Sequence, residues 1–204
     1  DRSPSRGLGD VYKRQAHERT GMRLVSYCVM PNHWHLVLWP RADGELSEFM
    51  RWLTVTHTQR WHAHRHSGGT GPVYQGRFKS FPIQRDHHFL RVCRYVERNA
   101  LRAGLVDRAE DWPWGSMACR SRPKPGRATW LMPTSTWPVE PPRNWVAQVN
   151  RSQDAPTVEA IRECVRRGAP FGTPAWRART AARLGLESSL RPRGRPRREG
   201  SAHA

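Results

Sequence analysis

The sequence predicts an α+β protein, and three patterns carry that expectation: two short alternating segments joined by a turn, a long helix with one apolar stripe, and a second amphipathic helix with a clear cap. Residues 16–20 read as the tail of a helix that Gly21 ends. Arg23 to Met30 alternates Leu24, Ser26 and Cys28 against Val25, Tyr27 and Val29, the period of a strand. A turn at Met30-Pro31-Asn32 leads into a second strand from His33 to Trp39, closed by Pro40.

Leu46, Phe49, Met50, Leu53 and His57 fall at helical spacing and predict an amphipathic helix from Glu45 to His66, ended by Ser67 to Pro72. Val73 to Phe81 reads as extended. Asp86 then caps a helix whose stripe is Phe89, Val92, Cys93, Val96 and Ala100, with Gly104 at its end. Residues 120–156 are rich in proline and arginine and read as a linker or an irregular wrapping segment. Two short helices follow, one carrying Val158, Ile161 and Val165, the other with Thr173 as N-cap, Pro174 at its first position and Gly185 past its end. The tail from Arg191 is basic, and no internal repeat is present.

The 204 residues hold 35 Lys+Arg against 17 Asp+Glu, a formal charge of +18, which predicts a polyanionic partner. Only Lys13, Lys79 and Lys124 are lysine, and arginine is the cation suited to bidentate phosphate contacts and base stacking. A GC-rich genome would give the same bias. Ten tryptophans supply large core side chains despite a mean hydropathy of -0.81, so global disorder is not expected. No apolar run is long enough for a membrane span, and a cytoplasmic protein is the expectation. Cys28, Cys93, Cys119 and Cys164 are widely spaced without a C-x-x-C, which fits reduced thiols and argues against a cysteine zinc site.

His33 and His35 stand two apart on a strand, so both project from one face while Trp34 points to the other, a spacing that suits metal capture or, equally, core or solvent-facing histidines. Tyr95 and Asn99 stand four apart on the Asp86 helix, at the margin of its stripe. A phenol can attack phosphorus, and an amide oxygen can complete a three-ligand set; the plainer alternative is a packed tyrosine and an asparagine ending the helix. Arg77-Phe78-Lys79 offers two cations around an aromatic for phosphates and an unpaired base, or an ordinary strand with Phe78 in the core. Arg193-Gly194-Arg195-Pro196 is similar to a minor-groove AT-hook core, or belongs to a generic basic tail. His57, His62, His64 and His66 read as surface or DNA-facing groups rather than a zinc set.

The stretches YCVMPNHWHLVL (27–38), YQGRFKSFP (74–82), YVERNALRAGLV (95–106) and WPWGS (112–116), in this order, resemble the REP-associated tyrosine transposases, single-tyrosine HUH transposases of the insertion-sequence type; GAPFG (168–172) and LRPRGRPRR (190–198) are similar too. The resemblance implies a ferredoxin-like HUH domain with an antiparallel sheet and helices on its faces. It implies an enzyme that cuts and rejoins single-stranded DNA beside hairpins through a 5'-phosphotyrosine. Position by position, His33 and His35 match the metal-binding pair, Tyr95 the nucleophile, and Asn99 the third ligand, a place some relatives fill with glutamine; the ion implied is magnesium or manganese. A non-catalytic binder of DNA hairpins is the alternative, an RNA-directed protein a weaker one, and a monomer or homodimer is expected.

The organisation expected is a non-native or disordered leader at 1–15, a catalytic domain at 16–119, a linker at 120–156, a helical segment at 157–190 and a basic disordered tail at 191–204. The family's opening strand and helix have no counterpart ahead of Gly21, which predicts a free sheet edge with exposed backbone groups. Gly115 stands where relatives commonly have serine.

Overall fold

A computed structural model describes residues 19–122 and 130–191. Strands β1 (Arg23–Val29) and β2 (Trp34–Trp39) pair antiparallel, with Cys28 opposite His35 and Val29 opposite Trp34. Helix α1 (Glu45–Arg65) covers one face of this ribbon and α2 (His87–Glu97) the other, so the α+β class holds. The sheet has two strands among the described residues. The expectations for residues 1–15 lie outside the described residues.

A β-bulge between Leu24 and Ser26 corrects the strand alternation. The extra residue flips the pleat, so Leu24 joins Tyr27 and Val29 beneath α1, while Val25 joins Cys28 and Met30 against α2. Both faces of β1 are consequently buried, which is why it reads as an almost unbroken apolar run.

The expected exposed edge of β1 is closed from within the chain. Residues 25, 27 and 29 turn their backbone groups away from β2, and each finds a donor or acceptor from residues 112–120. Val29 N–H donates to the Trp114 carbonyl (2.9 Å), and Trp112 Nε1 donates to the Val29 carbonyl (2.9 Å). Ser116 Oγ takes the Tyr27 N–H (3.1 Å), and Arg120 Nη2 reaches the Val25 carbonyl (2.6 Å). Beyond the bulge, Met132 N–H donates to the Leu24 carbonyl (2.8 Å). Pairing backbone groups in this way removes the cost of a bare edge. Gly115 belongs to this patch: a Cβ there would sit 3.4 Å from the Trp112 ring, at van der Waals contact.

α2 begins as predicted, with the Asp86 carboxylate accepting from His88 N–H (2.8 Å). It breaks at Arg98 and resumes as α3 (Asn99–Arg102). Val73 to Phe81 forms no strand; Gly76 takes φ 86° and the segment runs as bends between Pro72 and Pro82, with Phe78 packed beside Trp34 and Tyr74 against the α1 cluster. After α4 (Ser116–Ser121), the part of 120–156 that is described wraps the core instead of linking domains: Trp130, Leu131, Trp137 and Trp145 are buried, and a helix absent from the sequence reading, α5 (Trp145–Asn150), packs under α2. Large indoles in a proline-rich stretch give burial without periodicity, so no pattern announced it.

α6 (Ala155–Arg167) and α7 (Pro174–Leu184) follow, the second starting at Pro174 and ending at Gly185 as read. In α6 the buried positions are Ile161 and Cys164, with Val158 and Val165 half-buried. No described helix is long and apolar enough to cross a membrane, and the four cysteines are buried and form no disulfide.

Candidate functional site

The site forms where β2 faces the end of α2. His33 and His35 project together toward α2, as their spacing predicted, and Trp34 turns to the α1 side, 6.4 Å from the Tyr74 ring. The two imidazole centroids are 5.0 Å apart, and the Tyr95 ring lies 5.7 Å from His35, edge to face. Tyr95 is 5% exposed, so its ring is held firmly.

Arg102, which the sequence reading passed over, ties Asn99 to this group. Its guanidinium lies 4.1 Å over the Tyr95 ring, and its Nη2 donates to Asn99 Oδ1. It stands at i+3 from Asn99 and i+7 from Tyr95, one helical face, so the signal was there but an arginine in so basic a chain does not stand out.

Burial first, and then Arg102, lowers the His33 pKa; for His35 burial, then His33, then Arg102 bring it to about 4. Both rings are therefore neutral near pH 7. His33 Nδ1 donates to Asn32 Oδ1 (2.7 Å), a bond that leaves the Nε2 lone pair outward. Two neutral imidazoles and an amide oxygen are donor types that suit a divalent ion, and Asn99 Oδ1 accepts from Arg102, which an ion at that oxygen would have to displace. Asn99 Nδ2 is buried without a hydrogen-bond partner, so its amide is not fully committed to the fold.

The depressed His35 pKa sets the sign of a pH effect. Between 6.5 and about 4 the unfolded chain takes a proton the folded chain refuses, so this contribution is present above pH 6.5 and is lost as pH falls through about 4. In metal-free buffer, stability of the native chain should drop by about 2 kcal/mol more between pH 7 and 5 than that of His35→Gln, measured by urea unfolding. Equal losses in both proteins would refute the assignment.

The remaining predicted residues are placed elsewhere. Arg77 and Lys79 are exposed and Phe78 is half-buried. Arg193 and Arg195 lie outside the described residues. His57, expected at the surface, is 2% exposed, and its Nδ1 is 2.7 Å from the Tyr74 hydroxyl. The α1 stripe that contains it required that outcome. His64 and His66 are exposed, and His62 Nδ1 is 3.0 Å from Ser67 Oγ. Asp86, His87 and His88 also bring potential ligand atoms within 4.8 Å of one another. That carboxylate is occupied in capping α2, and the positive end of a helix repels a cation.

Behind the site, Glu97 is completely buried and raised in pKa by that burial. Its carboxylate accepts from Ser116 Oγ (2.9 Å) and Trp145 Nε1 (2.8 Å), with Arg120 Nε at 3.5 Å.

Residues 10–99 match the family described as Transposase IS200 like, a stretch that contains His33, His35 and Tyr95 and closes on Asn99. A curated protein of Haemophilus influenzae named "Putative REP-associated tyrosine transposase" is 23% identical over 111 residues, 50% of this chain. The chain spans 63% of the length of that relative. No solved structure matches. By its motifs, its α+β core and these matches, the segment 10–99 is similar to the IS200-like transposase family.

Proposed function

We propose that the chain is a metal-dependent transesterase for single-stranded DNA, nicking and rejoining a strand beside a hairpin. The observation that carries this reading is the convergence of His33, His35 and Tyr95 at ring separations of 5.0 and 5.7 Å, with Asn99 joined to them through Arg102. His33, His35 and Asn99 would hold magnesium or manganese, which when bound supplies Lewis-acid polarisation of a phosphate oxygen.

The chain's own residues do the rest. Tyr95 Oη attacks phosphorus in line, a tyrosyl P–O bond forms, and the bond to the 3'-oxygen breaks. The phenol proton passes to water and the leaving 3'-oxygen takes one up, giving a 5'-phosphotyrosine and a free 3'-hydroxyl. One phosphodiester replaces another, so the step reverses for strand joining without a nucleotide cofactor. Burial of the Tyr95 ring beneath Arg102 fixes the direction of attack, and exposed Arg77 and Lys79 contact the strand's phosphates.

A label at the 5' end of a hairpin oligonucleotide would leave with the fragment that ends in the free 3'-hydroxyl, so for incubation with the purified chain the label belongs on the 3' side of the nick. With magnesium or manganese, label should then migrate with protein through a denaturing gel, and EDTA should abolish it. Oligonucleotide binding without any adduct under either ion would sink catalysis. One observation favours a second reading, binding without cutting: Arg102 occupies Asn99 Oδ1 and covers the Tyr95 ring, so the site is capped. That reading expects hairpin affinity indifferent to EDTA and to His33→Ala.

A further inference from the structure

Away from His33 and His35, a cleft of about 560 Å³ opens between α2, α6, α7 and residues 189–191. Arg91, Arg167, Arg177 and Arg191 line it against a single acid, Glu163. Glu163 is already neutralised, with Arg166 at 2.6 Å and Arg167 at 3.6 Å. Arg167 is committed to the fold, donating through Nε to the Ser189 carbonyl (2.7 Å) and pinning the segment that carries Arg191. The cations left for a ligand are Arg91, Arg177 and Arg191. Arg177 Nε is buried and has no hydrogen-bond partner, an orphan donor of the kind an anion satisfies.

Position on α2 links this cleft to the candidate site. Arg91 stands four residues before Tyr95, so the two lie about 40° apart around the helix axis and just over one turn, about 6 Å, along it. A strand leaving Tyr95 toward the start of α2 meets Arg91 and then the cleft. The chain's own continuation is an unsuitable occupant, since past Arg191 it carries arginine at 193, 195, 197 and 198.

We propose that this cleft is a second phosphate-binding site, one that takes the phosphodiester backbone of the DNA strand flanking the phosphate at Tyr95. The identity of the polymer rests on the function proposed above; the anion chemistry rests on the cleft alone.

The test is fluorescence anisotropy of the full chain with a labelled hairpin carrying a single-stranded flank, in EDTA, over a salt series. Arg91→Gln combined with Arg177→Gln should weaken binding roughly tenfold or more at low salt. It should also reduce the slope of log affinity on log salt by about 1.4, at about 0.7 per single-strand phosphate. Unchanged affinity and slope in a double variant that melts like the parent would overturn the proposal. If the double variant melts early, Arg91→Gln alone decides, because that side chain is exposed: a slope lower by about 0.7 supports the site and an unchanged slope overturns it.

Competition separates the ligand sources. Displacement by a second oligonucleotide well below the concentration of inorganic phosphate required supports a strand site. Phosphate competing equally per phosphate group, or poly-glutamate matching the oligonucleotide, would overturn the backbone assignment. If no covalent adduct ever forms yet the double variant loses affinity and slope, catalysis fails and the cleft stands. If the adduct forms and the double variant binds like the parent, the cleft fails alone.

Discussion

Tyr95→Phe should eliminate covalent capture of DNA while leaving the protein folded and still able to bind the oligonucleotide. The substitution removes one oxygen and keeps the ring, so the edge contact with His35 at 5.7 Å and the guanidinium stack at 4.1 Å both persist. Loss of a hydroxyl from such a position costs on the order of 1 kcal/mol of stability, too little to unfold a domain. Catalysis through a covalent phosphotyrosine has no fallback once that oxygen is gone. Among the described residues, the other tyrosines cannot substitute: Tyr27 is fully buried with its hydroxyl 3.0 Å from Cys119 Sγ, and Tyr74 is held by His57, with its pKa raised by burial to about 12. The measurement pairs a denaturing gel with anisotropy on the same preparation. An adduct that persists in Tyr95→Phe would remove Tyr95 as nucleophile; a variant that loses adduct and binding together would not separate chemistry from recognition, and metal affinity with the His33→Ala control then decides whether the site is intact.

Local periodicity and capping made α1, α2 and α7 legible, because each carries a stripe or a cap that depends only on neighbours in sequence. The histidine pair was legible for the same reason, since alternation alone puts 33 and 35 on one face. What could not be read depends on contacts far along the chain. The bulge at Leu24 to Ser26 is set by how β1 meets residues 112–132, and it reassigns two side chains to opposite faces. The WPWGS stretch was visible as a motif, yet its work as a surrogate edge, with Trp112 and Ser116 serving the backbone of β1, requires the fold. Val73 to Phe81 failed as a strand because Gly76, at φ 86°, bends it. His57 was misplaced because its residue type outweighed its place in the α1 stripe. Glu97 gave no signal at all: a carboxylate on a helix normally reads as a solvated face, and only the approach of α4 and α5 makes it internal.

That buried carboxylate carries the largest stability effect expected anywhere in the described chain. Glu97 joins α2 to α4 through Ser116, to α5 through Trp145 and to Arg120, whose other nitrogens hold the Val25 and Met132 carbonyls. Glu97→Ala leaves a guanidinium only 14% exposed without its counter-charge and an indole N–H without its acceptor. Breaking a buried pair from one side costs about 3–5 kcal/mol, which for a chain of this size lowers the midpoint of thermal unfolding by roughly ten degrees or more. Glu97→Gln should cost less, because an amide oxygen still accepts a hydrogen bond and burial already disfavours the charged form, holding the carboxyl above its ordinary pKa. A raised folded pKa means that this group's contribution is whole below the unfolded value of 4.5 and is lost as pH rises through the folded one. The difference in stability between the parent and Glu97→Gln should therefore narrow as pH rises from 4.5, the reverse of the His35 effect. Urea midpoints of parent, Ala and Gln forms at several pH values measure all of this. Tyr95 stands two residues earlier on the same helix, so the Ala form should also lose adduct formation in proportion to the folded fraction and no further. An Ala form as stable as the parent would mean that Glu97 does not tie these elements together.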